Sequence, residues 1–437
     1  MTRLLYDLFI QLLLGAYRLA AAFHPKAKKW VNGRATLFQD LENQFAGNQK
    51  PVAWFHCASL GEFEQGRPVL EAFRHEFPDY KILLTFFSPS GYELRRDYAG
   101  ADVVSYLPAD TPANARRFVA TVRPTLVFWV KYEFWFHHLR ELRERNVPVV
   151  LFSAIFRPNQ LFFGPWGGLH REMLRSFDQI FVQNDESVRL LDGIGIRAER
   201  GGDTRCDRVA DIAAAPKRFP LVERFKGDAP LFVVGSMWPD DWRVISDWGL
   251  GIADLGARRP ISKNPQSEIP NPKSKIRILI APHEINPAQI DRWRAELPVP
   301  SVRYSQATPE AVETAEILWI DNVGMLASLY QHADFAFIGG AYGDGLHNIL
   351  EAAVYGMPIF FGNKKYGKFQ EAHDLLALGC AFAVADGGEF ARIFADLRAD
   401  EPRRRELAAR AANYVRANLG ATERVMAWAR KRGVPNQ

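Results

Sequence analysis

Residues 51–87 read PVAWFHCASLGEFEQGRPVLEAFRHEFPDYKILLTFF, in which a stretch of helical period separates two short apolar runs. The runs, at residues 52–56 and 81–87, are too short for helices and lie between turn-forming residues, which indicates buried strands. A helix that joins two such strands makes a βαβ unit, whose strands are parallel. This stretch therefore predicts an α/β fold built on a parallel sheet.

The same alternation continues along the chain and lapses once, in a polar stretch around residues 216–227. Before this break we expect one open sheet of six strands, at residues 52–56, 81–87, 102–106, 125–130, 147–152 and 179–182. After it we expect a second sheet, at residues 230–235, 276–281, 302–305, 317–320, 334–339, 358–362 and 380–384. The pattern predicts two Rossmann-like domains, at residues 31–215 and 216–437, the second ending in helices.

Two segments fall outside the alternation. Residues 258–276 carry four prolines and few apolar side chains, which predicts a disordered surface insertion.

Residues 1–30 include LLYDLFIQLLLGAYRLAAAF at 4–23, close to the ~20 residues that span a bilayer, followed by three lysines. By the positive-inside rule those lysines place the rest of the chain in the cytoplasm. We expect a membrane anchor; a helix lying on the membrane and a buried helix of a soluble domain are the alternatives.

The composition narrows the choice of partners. A net charge of +5 and a pI near 9.0 suit an anionic phospholipid surface or a phosphorylated substrate. Nucleic acid is disfavoured, because no basic run is interleaved with stacking aromatic residues. Cys57, Cys206 and Cys380 stand too far apart for a zinc knuckle, and the ten histidines show no metal-ligand spacing. We therefore expect no metal and no cofactor.

In open parallel sheets ligands bind beyond the carboxyl ends of the strands. In the first domain the loops there hold Glu62, Lys131, Glu133 and, at its end, Arg205, so that two carboxylates and two cations converge on one edge. Glu62 follows a strand in a glycine-containing turn and is suited to act as a general base. The alternative is a first-turn glutamate that complements the helix dipole.

The second domain carries GGAYGDGLHNILE at residues 339–351, directly after a predicted strand. Its four glycines let the backbone approach a ligand, and a helix from near Asn348 would point its N–H groups at a phosphate. Glu351 could accept hydrogen bonds from ribose. Since the chain lacks a P-loop and a dinucleotide-binding glycine fingerprint, a nucleotide-sugar site is the favoured interpretation.

Five motifs, spread over nearly the whole chain, together resemble one enzyme family. They read HCASLGE at residues 56–62, KYEFW at 131–135, GDTRCD at 202–207, APHE at 281–284 and GLHNILEAA at 345–353. Motifs of this kind, in this order, resemble those of the 3-deoxy-D-manno-octulosonic acid (Kdo) transferases of lipopolysaccharide core synthesis. The resemblance covers both predicted domains and is more specific than any glycine-rich loop alone.

The resemblance implies a GT-B glycosyltransferase, in which two Rossmann-like domains face each other across a cleft. It implies inverting transfer of Kdo from CMP-Kdo to the lipid A precursor (lipid IVA) at the cytoplasmic face of the inner membrane. Glu62 would be the general base, and Glu133 and Arg205 would stabilise the transition state. The implied CMP-binding residues are Pro282, His283, Gly324, Met325, Leu326, Asn348, Ile349, Leu350 and Glu351.

Two other functions remain open from the sequence. A GT-B enzyme that uses a UDP-sugar to build another glycolipid would share the fold and the glycine-rich loop, but gives no reason for the motifs around Glu62 and Arg205. A membrane-tethered two-lobe ligand-binding protein would also bind between Rossmann-like lobes, but such a protein normally faces the periplasm, against the placement of the lysines.

Overall fold

The computed structural model describes residues 2–131, 133–257, 276–297 and 299–433. Contacts divide the chain into two compact units. The first runs to Asp207 and also includes the residues from Asn418 onward, and the second is Arg208–Ala417.

The first unit is a parallel sheet flanked by helices. Its strands are β1 (Val52–Cys57), β2 (Lys81–Phe86), β3 (Val103–Tyr106), β4 (Leu126–Val130), β5 (Val149–Ala154), β6 (Gln179–Val182) and β7 (Glu199–Arg200). Its helices are α1 (Thr2–Ala20), α2 (Pro25–Asn32), α3 (Leu37–Phe45), α4 (Leu60–Glu76), α5 (Pro89–Arg95), α6 (Pro112–Val122), α7 (Phe136–Glu144), α8 (Gly168–Leu174) and α9 (Asp185–Asp192). Helix α10 (Thr204–Ala214) begins in this unit.

The strand order of the first sheet is β3-β2-β1-β4-β5-β6-β7, and every pairing among these strands is parallel. All six residues of β1 and all five of β4 are buried, as expected for central strands covered by helices on both faces. The strand order reverses between β1 and β4. A ligand of such a sheet binds at this reversal, beyond the carboxyl ends of the two strands.

The second unit repeats this architecture. Its strands are β8 (Leu231–Met237), β9 (Arg277–Pro282), β10 (Ser301–Arg303), β11 (Ile317–Trp319), β12 (Phe335–Ile338), β13 (Ile359–Gly362) and β14 (Ala381–Val384). Its helices are α11 (Pro220–Lys226), α12 (Pro239–Ala257), α13 (Pro287–Glu296), α14 (Pro309–Thr314), α15 (Leu326–Leu329), α16 (Leu350–Ala353), α17 (Gln370–Ala377), α18 (Gly387–Ala399) and α19 (Glu401–Ala417). The order β10-β11-β9-β8-β12-β13-β14 is again parallel and reverses between β8 and β12.

The prediction of two parallel-sheet α/β domains is confirmed, with two local differences. The first sheet has a seventh strand, β7, whose two residues are both exposed and so lack an apolar signal. The last helix, α20 (Ala421–Gly433), belongs to the first unit, whereas the sequence placed residues 216–437 together. The reason is packing, since Val425 and Met426 join the core formed by Phe55 and Phe128. The predicted insertion at 258–276 lies outside the described residues, except for Ile276.

The amino-terminal helix α1 lies on the first unit by one face and exposes the other. Ile10 is buried, whereas Leu4, Leu5, Leu8, Phe9, Leu12 and Leu19 are each more than half exposed. No single helix among the described residues is long and apolar enough to cross a bilayer, so α1 alone does not meet the expectation of a spanning anchor. Residues 3–20 and α2, bent by 117° at the break between them, meet the length and composition requirement only as a pair.

Candidate functional site

Glu62 lies in the first turn of α4, directly beyond the carboxyl end of β1. Ser59 occupies the N-cap position with an extended backbone, but its side chain does not cap the helix. The hydroxyl of Ser59 instead donates to Oε2 of Glu62, which holds the carboxylate at the edge of the sheet. The Glu62 side chain is half-buried, so it combines a fixed position with access from solvent.

Glu133 follows β4, on the other side of the strand reversal, and faces a buried histidine. Its Oε2 accepts a hydrogen bond of 3.1 Å from the indole of Trp135 and lies 3.5 Å from Nε2 of His56. Burial lowers the pKa of His56, although the neighbouring carboxylates of Glu133 and Glu62 act to raise it. Both candidate carboxylates thus act electrostatically on one buried imidazole, which burial keeps neutral.

A buried chain of hydrogen bonds contacts the other ring nitrogen of His56, Nδ1. The indole of Trp54 donates to the hydroxyl of Thr85 at 2.7 Å, and that hydroxyl lies 3.0 Å from Nδ1 of His56. Its only other acceptor among the described residues, the carbonyl of Phe55, is farther away at 3.4 Å. The nearest partner of this hydroxyl is thus Nδ1; when it donates there, a neutral imidazole carries its own proton on Nε2, the nitrogen 3.5 Å from the Glu133 carboxylate.

Arg205, the second residue of α10, is held by its neighbour Asp203. The Arg205 Nε and Nη2 atoms lie 3.0 and 2.7 Å from Oδ2 of Asp203, which also accepts from Gln65 at 3.1 Å and from Gln183 at 3.0 Å. Burial acts to raise the pKa of Asp203, but the Arg205 guanidinium outweighs it with help from Lys131, so that this pKa lies below its usual value. Asp203 is therefore a charged partner that fixes the guanidinium.

The structure brings Glu62, Glu133 and Arg205 to one edge of the first sheet. Gln65, one turn after Glu62 on α4, links that helix to Asp203 and so to Arg205. Two strands that lead to this edge end in strained backbone, since Lys131 after β4 and Ser153 in β5 adopt left-handed conformations with φ of 64° and 52°. Such conformations cost about 1–3 kcal/mol each and concentrate at functional sites.

The expected nucleotide-binding residues share the carboxyl edge of the second sheet. Pro282 ends β9, and His283 follows it. Gly324, with φ of +79°, and Met325 precede α15. Leu326 of α15 and the nearby Tyr330 pack closely against Gly235 of β8, where they occupy the space that a Cβ would need. Glu351 lies close enough to the buried Tyr330 hydroxyl to contribute to the rise in its pKa, a rise due mainly to burial.

The glycine-rich loop after β12 has the freedom that the sequence indicated, but the helix after it is shorter than expected. Gly340 and Gly345 have φ of +96° and +128°, and a Cβ on Gly340 would stand 2.3 Å from the carbonyl oxygen of Gly345. The expected helix from Asn348 is a single turn, α16, which begins at Leu350. The Asn348 side chain accepts from the N–H of Leu350 and donates to Glu351 at 3.1 Å, so this segment is fastened by side chains.

Arg34, which the sequence did not indicate, connects α2 to the carboxyl edge of the first sheet. Its guanidinium donates to the carbonyls of Leu107 at 2.9 Å, Trp30 at 3.1 Å and Phe87 at 2.8 Å. It also lies 3.9 Å from the ring centroid of Trp30 and 4.5 Å from that of Tyr106. Burial lowers the pKa of Arg34 to about 9. The loops after β2 and β3 are thereby tied to α2.

A buried carboxylate, also missed, fastens α1 and α7. Asp110 accepts from the Tyr6 hydroxyl, from Nδ1 of His138 and from the backbone N–H groups of His137 and His138. Burial acts to raise the pKa of Asp110, but the contacts with His138 and Tyr6 lower it below the usual value. His137 also lies 2.6 Å from Asp7 of α1. Tyr6 and Asp7 of α1 thus both contact other side chains of the first unit.

Among the described residues, no group of three or more His, Cys, Asp or Glu side chains is arranged to hold a metal ion. The three cysteines are all buried, and none of them forms a disulfide.

Comparison with known proteins shows which family this chain resembles. Residues 33–208, which include both carboxylates and Arg205, match the family model of the 3-deoxy-D-manno-octulosonic-acid transferases (kdotransferases). A 3-deoxy-D-manno-octulosonic acid transferase of Bordetella pertussis is 25% identical over 415 residues, which cover 91% of this chain and 92% of that protein.

Solved structures show the fold. A UDP-GlcNAc 2-epimerase from Neisseria meningitidis, bound to UDP-GlcNAc, covers 88% of this chain and all of its own, with a TM-score of 0.58 at 14% identity. MurG from Acinetobacter baumannii covers 87% of this chain and 99% of its own, with a TM-score of 0.53 at 12% identity. At such identities the likeness concerns the fold alone, which is of the GT-B class. The family model over residues 33–208 and the relative over 91% of the chain together support the 3-deoxy-D-manno-octulosonic acid (Kdo) transferase family.

Proposed function

We propose that the protein transfers Kdo from CMP-Kdo to the lipid A precursor, lipid IVA, in lipopolysaccharide core synthesis, with inversion at the anomeric carbon. The observation that carries the proposal is that Glu62, Glu133 and Arg205 lie along one edge of the first sheet, with Glu62 and Glu133 after the two strands of the reversal, in a chain similar to this family. The relatives' name supports Kdo as the transferred group, and activation of this sugar acid by CMP is the donor that the family resemblance implies.

In the proposed reaction Glu62 acts as the general base. Its carboxylate takes the proton from an acceptor hydroxyl while that oxygen forms a bond to the anomeric carbon of Kdo. The bond from this carbon to the CMP phosphate oxygen breaks on the opposite face of the sugar, and the electron pair leaves with the phosphate. The half-buried position of Glu62 and the hydrogen bond from Ser59 suit this role, because the carboxylate is oriented but reachable.

Glu133 and Arg205 are proposed to stabilise the transition state. The sugar becomes oxocarbenium-like as the bond to CMP breaks, and a carboxylate held by Trp135 and His56 would stabilise the positive charge. A guanidinium fork suits the carboxylate of a sugar acid better than an ammonium group, and Asp203 fixes the plane of this fork in advance. We propose that the transfer requires no metal ion.

The donor nucleotide is assigned to the second unit. Pro282, His283, the segment Gly324, Met325 and Leu326, and the segment Asn348, Ile349, Leu350 and Glu351 are the proposed CMP-binding residues. They lie beyond the carboxyl ends of parallel strands, where nucleotides bind in such sheets. We assign the acceptor to the first unit and the donor to the second.

We further propose that the protein binds the cytoplasmic face of the inner membrane through α1. Six exposed leucine and phenylalanine side chains line its outer face, and burying one of them in the acyl region would contribute about 1.5–3 kcal/mol. The polar residues Tyr6 and Asp7 are engaged on the inner face, which leaves the apolar face available for phospholipid.

Incubation of the purified protein with CMP-Kdo and lipid IVA, followed by mass spectrometry, tests the proposal. The expected product is heavier by one or more Kdo residues, and EDTA should not diminish its formation. CMP should raise the thermal midpoint of the protein, because a ligand that binds the folded state stabilises it, and UDP should raise it less. A larger shift with UDP, or no Kdo transfer, would contradict the proposed donor.

A further inference from the structure

Three aromatic side chains stack at the carboxyl edge of the second sheet. Trp238 follows β8, and its ring centroid lies 4.5 Å from that of His283, which follows β9. The ring of His283 lies 4.4 Å from that of His347, in the glycine-rich loop after β12. The stack therefore joins three strand ends, including the two between which the strand order reverses.

One hydrogen bond in this stack determines which ring nitrogen of His347 carries the proton. The indole Nε1 of Trp238 lies 2.8 Å from Nε2 of His347. An indole nitrogen can only donate, so Nε2 of His347 must accept and cannot carry a proton. A neutral imidazole then has its proton on Nδ1, and among the described residues no hydrogen bond uses this atom.

The surroundings keep His347 neutral near pH 7. Burial lowers the pKa of His347 to about 4, the neighbouring His283 acts in the same direction, and Asp344 opposes them. Burial likewise lowers the pKa of His283, against the effect of Glu284 and Asp344. The ring therefore acts as a hydrogen-bond donor through one atom and not as a cation.

The backbone around the stack is fixed on both sides. Oδ2 of Asp241 accepts from the N–H of Trp238 at 2.9 Å and from that of Gly340 at 2.8 Å, so one carboxylate joins the residue after β8 to the loop after β12. The N–H of His347 donates to the carbonyl of Gly339 at 3.2 Å. A Cβ on Gly340 would stand 2.9 Å from the imidazole, which shows how closely the loop backs the ring.

We propose that Trp238 is a positioning residue that holds His347 as the Nδ1–H tautomer, so that His347 donates a hydrogen bond to an anionic oxygen of the sugar donor. The inference rests on the proposed function, since it needs an acidic sugar nucleotide at this edge. His347 directly precedes Asn348, the first residue of a proposed CMP-binding segment, which places its ring beside the donor. The anionic oxygen belongs either to the phosphate or to the carboxylate of the sugar.

The tautomer can be tested without a ligand. In long-range ¹H–¹⁵N spectra of the full chain with labelled histidine, we expect His347 to show a protonated Nδ1 and an unprotonated Nε2. Trp238→Phe keeps an aromatic ring in the stack but lacks the N–H, so the Nε2–H form of His347 should become populated. A protonated Nε2 in the wild-type protein, or an unchanged His347 spectrum in Trp238→Phe, would overturn the proposal.

Binding measurements test the donated hydrogen bond. A hydrogen bond to a charged group corresponds to roughly tenfold or more in affinity. We therefore expect Trp238→Phe and His347→Gln to weaken CMP binding about tenfold but to leave cytidine binding unchanged, if the acceptor is the phosphate. His347→Asn, whose amide can place an N–H near the Nδ1 position, should retain more affinity than His347→Gln.

If the acceptor is the sugar carboxylate, CMP affinity stays constant and the KM for CMP-Kdo rises about tenfold in Trp238→Phe, with a smaller change in kcat. Equal CMP affinity and equal KM in the wild-type protein and in both Trp238→Phe and His347→Gln would overturn the inference. Failure of the wild-type protein to bind CMP and to use CMP-Kdo would instead contradict the proposed function, while the tautomer would still be readable.

Discussion

The buried carboxylate of Asp241 gives a prediction whose sign and size follow from the structure. Asp241 is fully buried in the first turn of α12, and its Oδ1 has no hydrogen-bond partner among the described residues. Burial raises the pKa of Asp241 from 3.8 to about 6, although the backbone N–H groups of Trp238 and Gly340 act to lower it. The folded protein therefore binds a proton here more tightly than the unfolded chain does.

The pH dependence follows from this difference. A carboxyl group whose pKa is higher in the folded state contributes stability that is fully present below about pH 4 and is lost as the pH rises through about 6. The whole effect corresponds to about 3 kcal/mol, and about 1.4 kcal/mol of it is present at about pH 5. The asparagine in Asp241→Asn cannot ionise. The free energy of unfolding of its second unit, relative to that of the wild type, should therefore rise by about 1.4 kcal/mol between about pH 5 and about pH 7.5.

Hydrogen exchange of β8 and β12, corrected for the intrinsic effect of pH on exchange, measures the local free energy of opening at both pH values. Asp247, an exposed residue of the same helix, is the matched control, because its carboxylate is not among the groups that shift the pKa of Asp241, and Asp247→Asn should keep the pH dependence of the wild type. A difference between Asp241→Asn and the wild type that is the same at both pH values would refute the reasoning.

Three further perturbations test other contacts. Arg34→Met removes three hydrogen bonds to carbonyls and should lower the free energy of unfolding by about 3 kcal/mol or more and shift the Phe87 loop; an unchanged urea midpoint would argue against this. His56→Phe keeps a ring but loses the Nε2 atom that faces Glu133, and kcat should fall about tenfold with little change in KM, whereas an unchanged kcat would exclude a positioning role. Leu8→Ser should weaken co-sedimentation with anionic phospholipid vesicles about tenfold, and equal binding would argue against α1 as the contact.

The strands of both sheets could be predicted from the sequence, because buried parallel strands are short apolar runs between turns. The same property explains why Glu62, Glu133 and His283 could be located near strand ends, since each lies within five residues of the end of such a strand. The glycines at 340 and 345 were also informative, because positive φ angles are needed there. These signals are local, and a local pattern can be recognised without knowing its partners.

Contacts between distant residues could not be predicted in this way. Tyr6 and Asp110 are 104 residues apart, and no spacing in the chain indicates that they meet. The periodicity of α20 shows that one face is buried, but it does not say which sheet covers that face. The helix expected from Asn348 begins at Leu350 instead, because the Asn348 side chain accepts from the N–H of Leu350 and bonds to Glu351. It ends soon afterwards, since Gly356 has a left-handed φ of +77°.

The direct test of the account is the single-turnover rate of Glu62→Gln with CMP-Kdo and lipid IVA, measured beside Glu64→Gln. Glu64 lies on the same helix, two residues away, and pairs with Arg95 at 3.0 Å, so its variant controls for loss of charge on α4. The account predicts that Glu62→Gln binds CMP as the wild type does but transfers Kdo at least about a hundredfold more slowly, whereas Glu64→Gln stays near the wild-type rate. A rate near that of the wild type in Glu62→Gln would show that this carboxylate is not the base.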